Sequence, residues 1–222
     1  MTTQTKTVAE EARKNGHMPM GLKLEASILK LKKVLDNVVD AYSRTTNLQP
    51  REAEDLVSRK AVQYLERGQY GKAVDEFNRL IAMGKEDADI YYRLGFACER
   101  LNMDEEAEKA YKKSIEMDKE RTEAYYRLGL LAIKNDDAKQ AVKFLGALST
   151  KKAADFEVTY QLGVAYDKMK DSKNAIDAFK KAIELEPKST KAFKRLGYAY
   201  DASGEHEKAV ECFKKAMELE EL

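Results

Sequence analysis

Two histidines, His17 and His206, and two cysteines, Cys98 and Cys212, are the residues of this chain best suited to acid–base, nucleophilic or metal chemistry. Their spacing supports none of these. The cysteines are too far apart in sequence for a zinc motif or a disulfide framework, and they read as buried or incidental thiols of a reducing compartment. His206 lies between Glu205 and Glu207 at a turn and is expected to be solvated. His17 sits in Gly16-His17-Met18-Pro19-Met20, and methionine with histidine can bind copper. A single such cluster in a polar terminal stretch reads as incidental. There is no HExxH, no GxSxG and no glycine-rich phosphate loop. Carboxylates are plentiful, but at helix-surface spacings with lysines or arginines three or four residues away, the pattern of solvated helix faces. The chain is therefore expected to have no catalytic residue, no cofactor and no metal site.

Binding is the remaining chemistry, and composition narrows it. The chain has 222 residues, 43% hydrophobic and 36% charged, with three prolines and no tryptophan. Alanine and straight-chain residues lose little freedom in a helix, so this mixture favours helices. Forty basic against 39 acidic residues leave a formal charge of +1. A nucleic-acid binder needs a basic excess on one face, so nucleic acid is excluded as a partner. The N-terminal MTTQTKTVAEEARK lacks the apolar core of a secretory signal, and no apolar run is long enough to span a membrane. A cytoplasmic location is expected.

The elements that would present a binding surface repeat along the chain. Leu94-Gly95, Leu128-Gly129, Leu162-Gly163 and Leu196-Gly197 recur every 34 residues. Ala107, Ala141, Ala175 and Ala209 follow at the same spacing, and Ala73 with Phe77 marks a fifth copy, where Lys60-Ala61 replaces Leu-Gly. Each copy reads as two helices, with a break at Gly68, Asn102, Asp136, Lys170 or Ser203-Gly204. In the last copy the helices are expected over Lys191 to Ala202 and about Glu205 to Leu219. A helical glycine costs about 1 kcal/mol relative to alanine. Its recurrence implies that a neighbouring helix passes too close for a Cβ. The alanines fit the same crossing, and Phe77, Tyr111, Leu145, Phe179 and Phe213 are expected to fill the space between hairpins. One hairpin cannot bury both its faces, so stacking must supply the core.

This period and its Leu-Gly, Ala and aromatic positions resemble the tetratricopeptide repeat. The resemblance covers residues 54–222, in five copies: 54–87, 88–121, 122–155, 156–189 and 190–222. It implies an all-α solenoid, a right-handed superhelix of helical hairpins. The tryptophan common near the repeat start is replaced by Val57, Tyr91, Tyr125, Thr159 and Phe193, and the closing proline survives only as Pro187. Repeat three departs further, with Gly146 inside its second helix and a poorly marked exit through Ser149 to Ala154. A softer joint between repeats 1–3 and 4–5 is expected there.

Residues 1–20 are polar and are expected to form a disordered tail. Over 21–50 the apolar Leu24, Ile28, Leu31, Leu35, Val38 and Tyr42 alternate spacings of four and three, which is a heptad seam closed by Thr46-Asn47 and Pro50. The helix could cap the first hairpin, dock in a groove of a second molecule as a self-assembly element, or lie on a membrane surface. The narrow seam weakens the last reading. The outer face of the fifth hairpin is expected to lack a cover, which favours docking between copies.

In the tetratricopeptide family the first helices of each repeat line a concave groove. The matching positions here are Tyr92, Tyr126 and Tyr160, with Ser58 and Lys194 flanking, then Val62, Phe96, Leu130, Val164 and Tyr198 one turn on. Arg93, Arg127, Arg195, Arg100, Lys134 and Lys168 sit around them. Tyrosine and arginine are typical anchors of protein interfaces. The alternative is that the tyrosines pack along seams between helices. The carboxylate clamp of chaperone-binding members is not reproduced: Lys191 and Arg195 match its last pair, but Tyr126, Leu130 and Gln161 do not.

The layout of the whole chain resembles a narrower group, the magnetosome-associated tetratricopeptide proteins of magnetotactic bacteria. The similar stretches are VLDNVVDAYSR, KAVQYLERGQYGKAV, LGVAYDKMKDSKNAIDAFKKAI, YDASGEHEKAVECFKKA and the ending FKKAMELEEL. This resemblance implies a protein that self-assembles on the cytoplasmic face of the magnetosome membrane and recruits other magnetosome proteins, its N-terminal helix engaging a groove of the next molecule. A peptide-binding adaptor of another bacterial assembly, such as secretion or pilus biogenesis, is the alternative.

Overall fold

The period of 34 residues becomes a series of paired helices in the computed structural model, which describes residues 50–150 and 155–221. The tail expected over 1–20, the heptad helix with Leu24, Ile28, Leu31, Leu35, Val38 and Tyr42, and most of the joint after Gly146 lie outside the described residues. Among those described the fold is all-α, with ten helices and no strand. They are α1 Pro50–Glu66, α2 Tyr70–Ala82, α3 Ala88–Arg100, α4 Asp104–Met117, α5 Thr122–Lys134, α6 Ala138–Thr150, α7 Phe156–Lys168, α8 Ser172–Leu185, α9 Thr190–Ala202 and α10 His206–Glu220. Pro50 opens α1 instead of closing the segment before it. Its missing N–H is no loss in a first turn, where the donor would have no helical partner.

The chain divides into two compact units, residues 1–101 and 102–222. In the first, α2 packs against both α1 and α3. Val57, Ala61, Ala73, Phe77 and Leu80 are buried there, and Lys85 pairs with Asp55 at 3.5 Å. In the second, α5 with α6, α7 with α8 and α9 with α10 form hairpins, and the second helix of one hairpin packs on the first of the next. Alanines at the crossings, including Ala141, Ala175 and Ala209, are buried.

The glycines behave as the period requires. A Cβ added at Gly129 would lie 2.5 Å from Leu145 Cγ, one at Gly163 2.6 Å from Phe179 Cε1, and one at Gly197 2.6 Å from Phe213 Cε1. Each glycine thus receives the large residue of its own hairpin's second helix, 16 positions on. Gly146 is different: a Cβ there would meet nothing within 4 Å.

Every hairpin turn reverses through a left-handed residue: Gly68, Asn102, Asp136, Lys170 and Gly204, with φ between 57° and 84°. At four of these turns two backbone bonds close a Schellman motif. At Lys170, for example, its N–H donates to Asp167 O at 2.9 Å and the Asp171 N–H donates to Tyr166 O at 3.0 Å. Glycine, asparagine and aspartate enter this conformation easily, whereas a lysine is strained there by about 1 kcal/mol. Lys170→Gly is accordingly expected to stabilise the protein by about 1 kcal/mol in urea unfolding. A loss of stability would show that the Lys170 side chain makes a contact worth more than the strain.

Candidate protein-interaction surface

Helix α3 of the first unit places Tyr92, Phe96 and Arg100 on one face, one turn apart, because residues four apart are helical neighbours. Phe96 meets Tyr70 of α2 edge to face, with ring centroids 6.3 Å apart. The Arg100 guanidinium lies 5.4 Å from the centre of the same Tyr70 ring. Arg93 pairs with Asp89 one turn earlier. Tyr92 is half-buried. Next to it, Tyr91 donates to Glu86 at 3.1 Å, and burial, then Glu86, pushes its phenol up to about 12. Tyr70 had no signal in the sequence, because it lies on a second helix, outside the register that marks groove positions.

In the second unit the tyrosines sit on seams. Tyr126 of α5 is half-buried against the cluster formed by Leu145, Leu148, Val158 and Leu162. Burial first, and then the charges of Glu157 and Asp155, push its phenol up to about 12. Tyr160 of α7 stacks on Phe156, 5.8 Å between centroids, and leans on Phe179 at the same distance. One turn on, Leu130 is half-buried and Val164 buried, whereas Tyr198 is exposed and meets Phe213 edge to face at 5.1 Å.

The first helices of repeats four and five are joined by a group that the sequence reading passed over. Glu157 accepts from Lys191 at 2.8 Å through one carboxylate oxygen and from Gln161 at 2.8 Å through the other. The Lys191 ammonium also lies 4.8 Å from the Tyr160 ring centre and 4.9 Å from that of Phe156. Burial alone would raise the Glu157 pKa, but the bonds from Lys191 and Gln161 hold it below the usual carboxylate range. Lys191 is raised above the usual lysine value by its bond to Glu157. The signal was available: Glu157 and Lys191 carry opposite charges at equivalent positions, 34 residues apart.

The remaining cations are met in the same way. Lys134 donates to Asp104 at 2.7 Å and Lys168 to Asp136 at 2.6 Å, so a lysine from the last turn of one first helix reaches back to the turn region of the preceding hairpin. The Lys168 bond holds the Asp136 carboxyl below its ordinary range. Lys194 pairs with Glu220 of α10 at 2.6 Å, and Arg195 lies 3.6 Å from Asp167. Arg127 is half-buried beside Tyr126. Lys191 and Arg195, the two positions matching a carboxylate clamp, are thus already turned to Glu157 and Asp167. A ligand carboxylate would have to displace an acid of the chain itself. The surface offers ring edges and matched ion pairs, which suits a protein partner of mixed charge.

Of the residues singled out for chemistry, His17 lies outside the described residues. His206 is exposed, its Nδ1 2.7 Å from Asp201. Cys98 is buried, and Cys212 is half-buried with its thiol pushed up by burial. Among the described residues no three histidines, cysteines or acids converge on a possible metal position. Nor is any described helix long and apolar enough to cross a membrane.

Tetratricopeptide repeat profiles match residues 88–121, 123–151, 157–189 and 190–221, and a TPR repeat profile matches 63–102. No curated protein matches the sequence significantly. Solved structures do. MamA 41-end from Desulfovibrio magneticus RS-1 is 28% identical, with a TM-score of 0.71 over 76% of this chain and 95% of that one. MamA of AMB-1 is 27% identical, with a TM-score of 0.70 over 76% and 92%. MamA of MSR-1 is 27% identical, with a TM-score of 0.69 over 76% and 97%.

Proposed function

The chain belongs to the tetratricopeptide repeat family, and on that premise we propose that it is a non-enzymatic protein–protein scaffold that assembles with copies of itself. It would coat the cytoplasmic face of the magnetosome membrane as a peripheral protein and recruit other magnetosome proteins there. The observation that carries this reading is the likeness to MamA structures across three-quarters of the chain and nearly all of theirs. The surface supports it in kind. Tyr92, Phe96 and Arg100 of α3 and, in the second unit, the exposed Tyr198 of α9 offer aromatic and cationic anchors on rigid helices, and anchors on a rigid support lose little entropy on binding a partner.

Light scattering behind size exclusion, on the full chain over a range of concentrations, tests the assembly. Particles many times the 25.2 kDa chain, growing with concentration, are expected. A strict monomer at every concentration would overturn self-assembly and leave a monomeric adaptor.

A further inference from the structure

The first helices of the five repeats carry Tyr64, Cys98, Ala132, Tyr166 and Tyr200 at one equivalent position. In the second unit the tyrosines close the seam to the hairpin before them. Tyr200 of α9 is 6% exposed, in one cluster with Ile176 of α8. Tyr166 of α7 and Val142 of α6 likewise pack against one cluster. A ring of one repeat thus lies with an aliphatic side chain of the preceding second helix. The seam between α4 and α5 departs from this at both ends. Ala132 stands where the ring would be, and Glu108 stands where the other second helices carry Val74, Val142, Ile176 and Val210.

The exchange leaves a cavity of about 230 Å³ with Leu128, Leu131, Ala132 and Phe144 as apolar walls and Glu108 and Gln140 among the polar ones. Phe144 is larger than its counterparts Ala110, Ala178 and Cys212, yet it does not fill the space. A cavity of about 150 Å³ accepts a benzene ring, so one side-chain ring fits here. The polar walls say which ring. Glu108 pairs with Lys112 of its own helix at 2.5 Å, so its charge is met without a ligand cation. Gln140 differs. Its counterpart Lys208 lies 5.4 Å from the centre of the Tyr200 ring. The Gln140 side chain stands at the matching wall, with Oε1 buried and without a hydrogen-bond partner in the chain. A buried acceptor left unmet is costly, so a ligand that brings a donor together with an apolar ring suits the cavity. A phenol has both.

We propose that the cavity between α4, α5 and α6 is a binding site for a tyrosine side chain of a partner protein. The ring takes the place that Tyr166 and Tyr200 take in the later repeats, and the hydroxyl donates to Gln140 Oε1. The chain's own repeats thus supply the template for the ligand. The inference rests on the scaffold reading above, to which it adds one specific contact, and it does not require the chain to assemble with itself.

Saturation-transfer NMR on the full chain tests it, since that measurement tolerates large particles. The probes are N-acetyl-tyrosine amide, N-acetyl-phenylalanine amide and p-cresol. The native chain is expected to bind the tyrosine amide about 2- to 10-fold more tightly than the phenylalanine amide, the strength of one hydrogen bond. Gln140→Leu, at a half-buried position, is expected to bind the two amides equally and to unfold at the native temperature. Ala132→Tyr is expected to fill the cavity from within, to unfold no lower than the native chain and to bind neither amide. Tyrosine amide binding that is equal in the native chain and Ala132→Tyr overturns the site. Should Ala132→Tyr not fold, Gln140→Leu decides alone, and an unchanged preference for the tyrosine amide overturns the proposal. Binding of p-cresol without the tyrosine amide would mean a site for a free phenol and overturns the side-chain assignment. A failure here leaves the light-scattering result untouched, so this site and the scaffold reading fall separately.

Discussion

Gly163→Ala is expected to destabilise the protein by about 2 kcal/mol, while Gly146→Ala stabilises it by up to about 1 kcal/mol, although both place alanine inside a helix. Helix propensity alone favours alanine at either site by that smaller amount. At Gly146 nothing opposes the gain, since the new Cβ meets no atom within 4 Å. At Gly163 it would lie 2.6 Å from Cε1 and 2.7 Å from Cδ1 of Phe179. That ring cannot easily retreat, because it is fully buried among Val164, Ala175, Ile176 and Leu196, with Tyr160 leaning on it. Either the ring leaves its rotamer or the two helices separate, and overpacking of this kind costs about 1–3 kcal/mol beyond what propensity returns. The cause can be isolated by repeating Gly163→Ala in a Phe179→Ala background. With the ring gone the alanine should cost nothing or stabilise. Equal costs in the two backgrounds, read from urea unfolding, would show that Gly163 is retained for some reason other than the ring.

The close approach at these glycines was legible in the sequence, but its partner was not: Phe179 and its equivalents were expected between hairpins, and they also enter their own. Glycine and large residue lie 16 positions apart in four of the five copies, and the repetition of Leu-Gly alone signals a close crossing. The positions of the hairpin turns were legible too, down to Lys170, which only the register identifies, whereas their left-handed conformation was not. The candidate surface was harder to read. Whether Tyr126 stands in a groove or leans into a seam depends on Val158 and Leu162 of the following repeat, and so on the angle between successive hairpins, which no single repeat encodes. The cations tell the same story. Arg195 and Lys168 look available within their own repeats, and they meet Asp167 and Asp136 only once two hairpins are stacked. A periodic sequence states which residues are equivalent. It is less informative about which are covered, because cover comes from the next copy along.

The same distinction sets the second large effect. Phe179→Ala is expected to cost about 3–5 kcal/mol, and Phe213→Ala, at the equivalent position, about half of that or less. The two rings do the same work inside their hairpins, each filling the space left by a glycine. They differ on the other side. Phe179 is fully buried, closed over by Leu196, Ala199 and Tyr200 of α9, so its removal leaves a cavity that rigid neighbours cannot collapse. Phe213 is half-buried and meets Tyr198, which is itself exposed, so water and side-chain relaxation can fill the loss. Urea unfolding at low protein concentration reads both values, and equal costs would mean that the outer face of α9 and α10 is covered within the single chain.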